Sequence, residues 1–117
     1  MLSVRRSIAT LALLGAATGL ASCGSSTTSP SGQTIVQVKD NFFSPSSVTI
    51  SVGQTVEWQW AGTTNSHNVT WVVTSGAGNS ATQSSGTYSR TFDTTGTYDY
   101  YCSIHGQSVM SGTVVVQ

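Results

Sequence analysis

The stretch at residues 96–110, GTYDYYCSIHGQSVM, joins a predicted β-strand directly to a group of metal-binding side chains. Its first six residues are mostly aromatic or β-branched, which is typical of strands. The part that follows contains Cys102, His105 and Met110, so a thiol, an imidazole and a thioether lie within nine residues. The stretch therefore predicts a strand that ends at a metal site.

A second histidine, His67, lies upstream, and the whole chain contains two His, two Cys and two Met. Met1 is the initiator, and Cys23 has a separate explanation given below. The remaining Cys, His and Met residues form one candidate ligand set: His67, Cys102, His105 and Met110. Taken singly, a buried Cys or Met is usually an ordinary core residue. Taken together, two His, one Cys and a weak Met form the ligand set of a blue-copper electron-transfer site.

From residue 34 onward, apolar and β-branched residues recur at alternate positions, which is the pattern of β-strands. Turn residues such as Ser44-Pro45 and Gly53 interrupt this pattern, and no segment of it has a convincing helical period. The predicted strands are residues 34–39, 48–52, 55–60, 67–74, 87–92, 96–102 and 112–117. Seven or so short strands without a helix predict an all-β sandwich or barrel.

Strand alternation places two of the candidate ligands on apolar faces. His67 shares a face with Trp71 and Val73, and Cys102 shares one with two tyrosines. Because both ligands lie at strand ends, they can meet at one end of a sandwich. Residues 75–86, by contrast, contain no apolar side chain beyond two Ala and predict a mobile surface loop.

The spacing of Cys102, His105 and Met110, with the upstream pair His67-Asn68, resembles that of the plastocyanin-type cupredoxins. Phe43-Ser44-Pro45 and the following VTISVGQTVEW at residues 48–58 resemble the first half of the same family. The resemblance covers residues 35–117. It implies a cupredoxin domain at residues 34–117, folded as a Greek-key β-sandwich or barrel of about seven to eight strands.

The resemblance also implies how one copper ion would be held. Cys102 would bind as a thiolate, and His67 and His105 would bind as neutral imidazoles through Nδ1. Met110 would be the weak axial ligand and would help to set the reduction potential. Asn68 would tie the two ligand loops together through Ser103, and such contacts orient the ligands and tune the metal.

By the same resemblance, His105 lies nearest the surface and provides the route for the electron. Partners would be transient redox proteins, and we expect a monomer. Three residues are candidates for an apolar docking surface: Phe43, Pro45 and Gly106. One departure from the family is Ile104, which stands where plastocyanins commonly have Pro.

Two other functions compete with electron transfer. The same soft ligands could hold copper or zinc in a chaperone or scavenger, although copper traffickers often carry extra Met or His. A metal-free structural sandwich is the other alternative. We do not expect an enzyme, because a second copper centre would need more ligands than the chain offers, and no Ser-His-Asp or paired-carboxylate arrangement is present.

The N-terminal segment predicts export. Residues 1–22 contain Arg5, Arg6 and an apolar run that is too short to span a membrane, which is typical of a signal peptide. The sequence before Cys23 resembles a bacterial lipobox, so we expect a lipidated Cys23 and a flexible tether over residues 23–33. The alternative is an ordinary signal peptide with a chance Cys, and the twin-arginine route stays open. The protein would then be periplasmic or on the cell surface, anchored to a membrane.

Few charges remain after residue 22. There are two cations, Lys39 and Arg90, and four anions, Asp40, Glu57, Asp93 and Asp99. A slightly negative domain without a basic patch is a poor partner for nucleic acid.

Overall fold

The computed structural model describes residues 32–74 and 78–117. The predicted signal peptide at residues 1–22 and the lipidated Cys23 lie outside the described residues. Within them, eight strands follow in chain order: β1 Thr34–Lys39, β2 Phe42–Ser44, β3 Ser47–Ile50, β4 Thr55–Trp60, β5 Thr70–Trp71, β6 Gly86–Thr91, β7 Gly96–Tyr101 and β8 Ser111–Val116. The described part of the chain has no helix that is long and apolar enough to cross a membrane.

The strands form two four-stranded sheets, so the prediction of an all-β sandwich is confirmed. One sheet has the order β2-β1-β4-β6, and the other has the order β3-β8-β7-β5. The pairs β1·β4 and β3·β8 are parallel, and the other neighbouring pairs are antiparallel. Because β1 and β4 run in parallel, the segments that follow Lys39 and Trp60 leave their sheet at the same end.

Alternation along the strands builds the core between the two sheets. In β4, Val56, Trp58 and Trp60 are buried, whereas the residues between them are partly exposed. Strand β1 buries Val36 and Val38 in the same way. Apolar side chains removed from water contribute roughly 25 cal/mol per Å² of buried area, so this inner face is the main source of stability.

Tyr100 of β7 lies at the centre of an aromatic cluster. Its ring packs edge-on against Phe43, Trp58 and Trp71, with centroids 4.8, 5.3 and 5.4 Å away. Such edge-to-face pairs contribute about 0.5–1.5 kcal/mol each beyond the area that they bury. Gly112 is the partner of Tyr100 on β8, and its missing side chain leaves room for the Tyr100 ring.

Burial raises the pKa of the Tyr100 hydroxyl well above its usual value. An unfolded tyrosine ionises near pH 10, so above about this pH the unfolded chain binds fewer protons than the folded one. We therefore expect the free energy of unfolding of the metal-free protein to fall as the pH rises above about 10, measured by urea titration. In Tyr100→Phe this fall should be smaller, and an identical fall in both proteins would contradict the account.

Two strand predictions are wrong in part. The sequence predicted no strand at Phe42–Ser44, but this segment pairs with β1 after a two-residue turn in which Asn41 adopts a φ of 71°. Asn tolerates this left-handed conformation better than most residues. The strand predicted at residues 67–74 shortens to Thr70–Trp71, and Val73 is 71% exposed rather than inward.

Candidate metal centre

Three candidate ligand atoms meet at the end of the sandwich where β7 ends. The Sγ atom of Cys102 lies 3.8 Å from Nδ1 of His67 and 3.5 Å from Nδ1 of His105. The ligand atoms of these three residues all lie within 4.8 Å of one another. Cys102 and His67 are fully buried, and His105 is half-buried. The structure thus brings together three of the four predicted ligands, each histidine through the predicted nitrogen.

The fourth candidate, Met110, closes the ligand loop, which we define as residues 102–110. Its side chain is fully buried. The Cys102 N–H donates to the Met110 carbonyl at 2.9 Å, so the two ends of the loop are joined. Within the loop, the N–H groups of Gly106 and Met110 donate to the carbonyls of Cys102 and Gly106. These bonds return Met110 to the side of Cys102 immediately before β8.

Asn68 connects the two ligand segments through a complete set of hydrogen bonds. Its Nδ2 donates to the hydroxyls of Ser103 at 2.8 Å and Thr82 at 2.9 Å. Its Oδ1 accepts from the Ser103 N–H at 2.9 Å and from the Thr70 hydroxyl at 3.1 Å. Asn68 is buried, and its four bonds are partly buried. The residue after His67 is therefore fixed to the residue after Cys102.

Replacing Asn68 with Ala should loosen this connection. The change leaves partly buried partners such as the Ser103 N–H without their acceptor. An unsatisfied buried group costs about 1–3 kcal/mol, and because water can reach these partners in part, we expect a loss of about 1 kcal/mol in the free energy of unfolding. Copper affinity should fall by at least about tenfold, as is usual when contacts behind a ligand are removed. Urea titration and metal competition measure the two effects. Asn65→Ala, at an exposed neighbouring position, is the matched control, and equal effects of the two changes would contradict the assigned role.

Asp40 holds His67 from its other side, a contact that no sequence motif predicts. It lies in the turn between β1 and β2, and its Oδ1 is 2.9 Å from His67 Nε2. Hydrogen bonds hold the pKa of the Asp40 carboxyl well below its usual range. The bond with His67 has the largest effect, followed by those with Thr64 and Asn65. A ligating His generally donates its second ring N–H to a carboxylate, a carbonyl or a water. This requirement is the one signal that could have pointed to Asp40.

The segment before β6 is also attached to the site. Residues 78–86 are mostly exposed, as predicted for a surface loop. However, His67 and Gln83 exchange two backbone hydrogen bonds of 2.9 and 3.0 Å, and the Ser80 N–H donates to the Val69 carbonyl at 3.0 Å. His67 therefore pairs with this segment rather than with β7, which explains why the strand predicted at residues 67–74 is so short.

The predicted docking surface needs correction. Phe43 is only 2% exposed and packs against Tyr100 in the core, so it cannot contact a partner. Pro45 is half-buried and lies beside Gln37. Gln37 lies in β1, three residues before Asp40, so Pro45 is set back from the end of the sheet where the ligands meet. Gly106 does lie in the ligand loop and is half-buried.

Two other apolar residues of the ligand loop are exposed instead. Ile104 is 53% exposed and Val109 is 60% exposed, and they lie on either side of His105 in the sequence. No residue of the ligand loop carries a charge other than the histidine itself when protonated. The exposed surface of the loop therefore carries no charged residue, and it combines the apolar Ile104 and Val109 with the polar Ser103, Gln107 and Ser108.

The donor set fits a copper ion. A thiolate, two imidazole nitrogens and a thioether are the soft and borderline donors that copper accepts in a blue-copper site. Cys102 forms no disulfide within the described chain, so its sulfur is available. The nitrogen that each histidine turns toward this sulfur is Nδ1, and in His67 the other nitrogen is occupied by Asp40. Cys102, His67 and His105 could therefore hold one ion, with Met110 as the fourth ligand, while the hydrogen bond between His67 Nε2 and Asp40 stays in place.

Comparison with known proteins gives consistent matches. A family described as copper binding proteins, plastocyanin/azurin family, matches residues 31–117. The plastocyanin of Scenedesmus fuscus is 42% identical over 86 residues, which cover 64% of this chain and 86% of that protein.

Solved structures show the same fold. An amicyanin variant in its reduced state is 30% identical with a TM-score of 0.63, over 76% of this chain and 86% of that one. A copper-containing nitrite reductase from Thermus scotoductus is 28% identical with a TM-score of 0.56, over 71% of this chain. This chain spans only 22% of that enzyme's chain.

Proposed function

Because the chain belongs to the plastocyanin/azurin family of copper-binding proteins, we propose that it is an exported carrier of single electrons that meets its protein partners at the ligand loop. The chain is a blue-copper electron-transfer protein with one type 1 copper site formed by His67, Cys102, His105 and Met110. The observation that carries this conclusion is the convergence of Cys102 Sγ with Nδ1 of His67 and of His105.

When bound, copper supplies a one-electron Cu(I)/Cu(II) couple. The protein holds the ligands still, since the two oxidation states prefer different geometries and a rigid site changes little between them. Backbone bonds join Cys102 to Met110, and Asn68 joins the two ligand segments. Trp60 adds a further restraint, because its indole N–H donates to the His67 carbonyl at 3.2 Å.

The ligand loop is the surface best suited to electron exchange. His105 is the half-buried member of the ligand cluster, whereas His67 and Cys102 are fully enclosed. The apolar side chains of Ile104 and Val109 border it in the sequence and are exposed. Short-lived redox complexes use small interfaces, so a loop of this size is sufficient. We infer that the partners present a similarly uncharged surface.

Electron self-exchange tests this use of the loop without an identified partner. Line broadening in mixtures of the reduced and oxidised protein gives the rate. Ile104→Glu places like charges at the contact, so the rate should fall by about tenfold at low ionic strength and recover as salt is added. Val73→Glu changes an exposed valine near Asp99 and is the matched control. Equal self-exchange rates for the two variants would contradict the proposal that the proteins meet at the ligand loop.

We propose a carrier rather than an enzyme. The likeness to the nitrite reductase covers one part of that larger chain. Reversible redox cycling without loss of metal would support a carrier, whereas one-way transfer of copper to a metal-free acceptor protein would support a chaperone.

We also propose that a signal peptide at residues 1–22 directs export and that a lipid on Cys23 anchors the protein to a membrane. The support is the sequence pattern around Cys23. Mass spectrometry of the protein from its native host should find a mature N-terminus at an acylated Cys23. An unmodified N-terminus, or cleavage at another position, would contradict the anchor.

A further inference from the structure

We propose that Asp40 is a positioning residue for the copper site: it fixes His67 so that Nδ1 is free for the metal, and its negative charge favours the oxidised state. This inference rests on the proposed function, since it concerns the same site. Asp40 is 27 residues away from His67 in the sequence and belongs to the turn between β1 and β2.

The Asp40 carboxylate is itself held rigidly. Its Oδ1 accepts from the Asn65 N–H at 3.2 Å and lies 2.9 Å from His67 Nε2. Its Oδ2 accepts from the Thr64 N–H at 3.0 Å and from the Thr64 hydroxyl at 2.5 Å. Two of these donors are backbone groups of the segment that leads into His67. The carboxylate therefore fixes both the ring and the chain that delivers it.

The contact determines which nitrogen of His67 can bind a metal. An ionised carboxylate accepts hydrogen bonds and donates none, so Nε2 must carry the proton. In a neutral imidazole, Nδ1 then keeps its lone pair. Nδ1 is also the atom that lies 3.8 Å from Cys102 Sγ. Asp40 thus selects the tautomer that the site requires, before any metal is bound.

The charge of Asp40 has a separate consequence. The side chain is 31% exposed, while the ring that it contacts is fully buried, so water screens the contact incompletely. The neighbouring cation, Lys39, directs its Nζ to the Ala61 carbonyl at 3.1 Å rather than to this carboxylate. A negative charge behind a ligand stabilises the more positive oxidation state. Asp40 should therefore lower the reduction potential.

Two variants separate position from charge. Asp40→Asn removes the charge but keeps an oxygen that can accept from Nε2, whereas Asp40→Ala removes both. Asp93→Asn is the matched control, because Asp93 is exposed and follows β6 at the other end of the sandwich. All three variants are compared with the wild-type protein at one pH.

The first measurement uses metal-free protein and ¹⁵N NMR of the histidine rings. We expect His67 of the wild type to be protonated on Nε2 alone, and Asp40→Ala to populate both tautomers. The second measurement is the reduction potential of the copper-loaded proteins. We expect both Asp40 variants to lose about tenfold in the preference for Cu(II) over Cu(I), which is a rise of about 59 mV for a one-electron couple. Asp93→Asn should shift the potential much less.

A wild-type His67 protonated on Nδ1 would overturn the positioning role. Potentials that shift no more in the Asp40 variants than in Asp93→Asn would overturn the electrostatic role. If Asp40→Ala does not fold, the wild-type tautomer and the Asp40→Asn potential still decide both points. A wild type that fails to form a blue copper site would instead contradict the proposed function, and the tautomer of the metal-free protein would still test the role of Asp40.

Discussion

Replacing Cys102 with Ser is expected to abolish the intense visible absorption of the copper-loaded protein. That absorption depends on a copper–thiolate bond, and a serine hydroxyl is a harder donor that does not replace a soft thiolate. Because the two side chains are similar in size, packing around this fully buried position should change little. We expect copper affinity to fall by at least about a hundredfold, since the change removes a ligand rather than a contact behind one.

Absorption spectroscopy and metal competition measure these effects. Ser108→Ala, at an exposed serine in the same loop, is the control and should keep both the colour and the affinity. Colour that survives in Cys102→Ser would mean that another residue supplies the thiolate, and the assigned ligand set would be wrong.

Replacing Gly112 with Ala is expected to cause the closest clash of any Gly-to-Ala change within residues 32–74 and 78–117, and a large loss of stability. A Cβ at this position would lie 2.4 Å from both Cζ and Oη of Tyr100. The ring cannot move aside easily, because Phe43, Trp58 and Trp71 surround it. Overpacking of a core costs typically 1–3 kcal/mol, and we expect about 3 kcal/mol here.

Urea titration of the metal-free protein measures this loss, so that copper binding does not contribute. Gly78→Ala is the matched control, because a Cβ there meets no atom within 4 Å. The double variant with Tyr100→Phe should lose less than the sum of the two single changes, since it removes one of the clashing atoms. A Gly112→Ala protein as stable as Gly78→Ala would contradict the close approach of β8 to Tyr100.

Alternation and residue inventory were sufficient to predict the fold class and to bring His67 and Cys102 to one end of it. Alternation alone could not place Phe43, because adjacent residues of a strand point to opposite faces and the register decides which is inward. In the structure Phe43 pairs with Val38, a core residue, and Phe42 is 54% exposed instead. For this reason the docking prediction was wrong for Phe43.

The contact between Asp40 and His67 could not be predicted from the sequence for a different reason. It depends on the parallel pairing of β1 with β4, which brings the turn after Lys39 beside the segment after Trp60. A parallel pair between strands separated by two others leaves no local signal in the sequence. The pairing of the Gln83 backbone with that of His67 also leaves no local signal, because Gln83 lies in the segment that was predicted to be a loop.

Titration of the metal-free domain with Cu(II), followed by visible absorption, tests the central claim most directly. We expect an intense blue band that saturates at one copper per chain, disappears on reduction and returns on reoxidation without loss of metal. A colourless product, or saturation at a different stoichiometry, would contradict a single copper site formed by His67, Cys102, His105 and Met110.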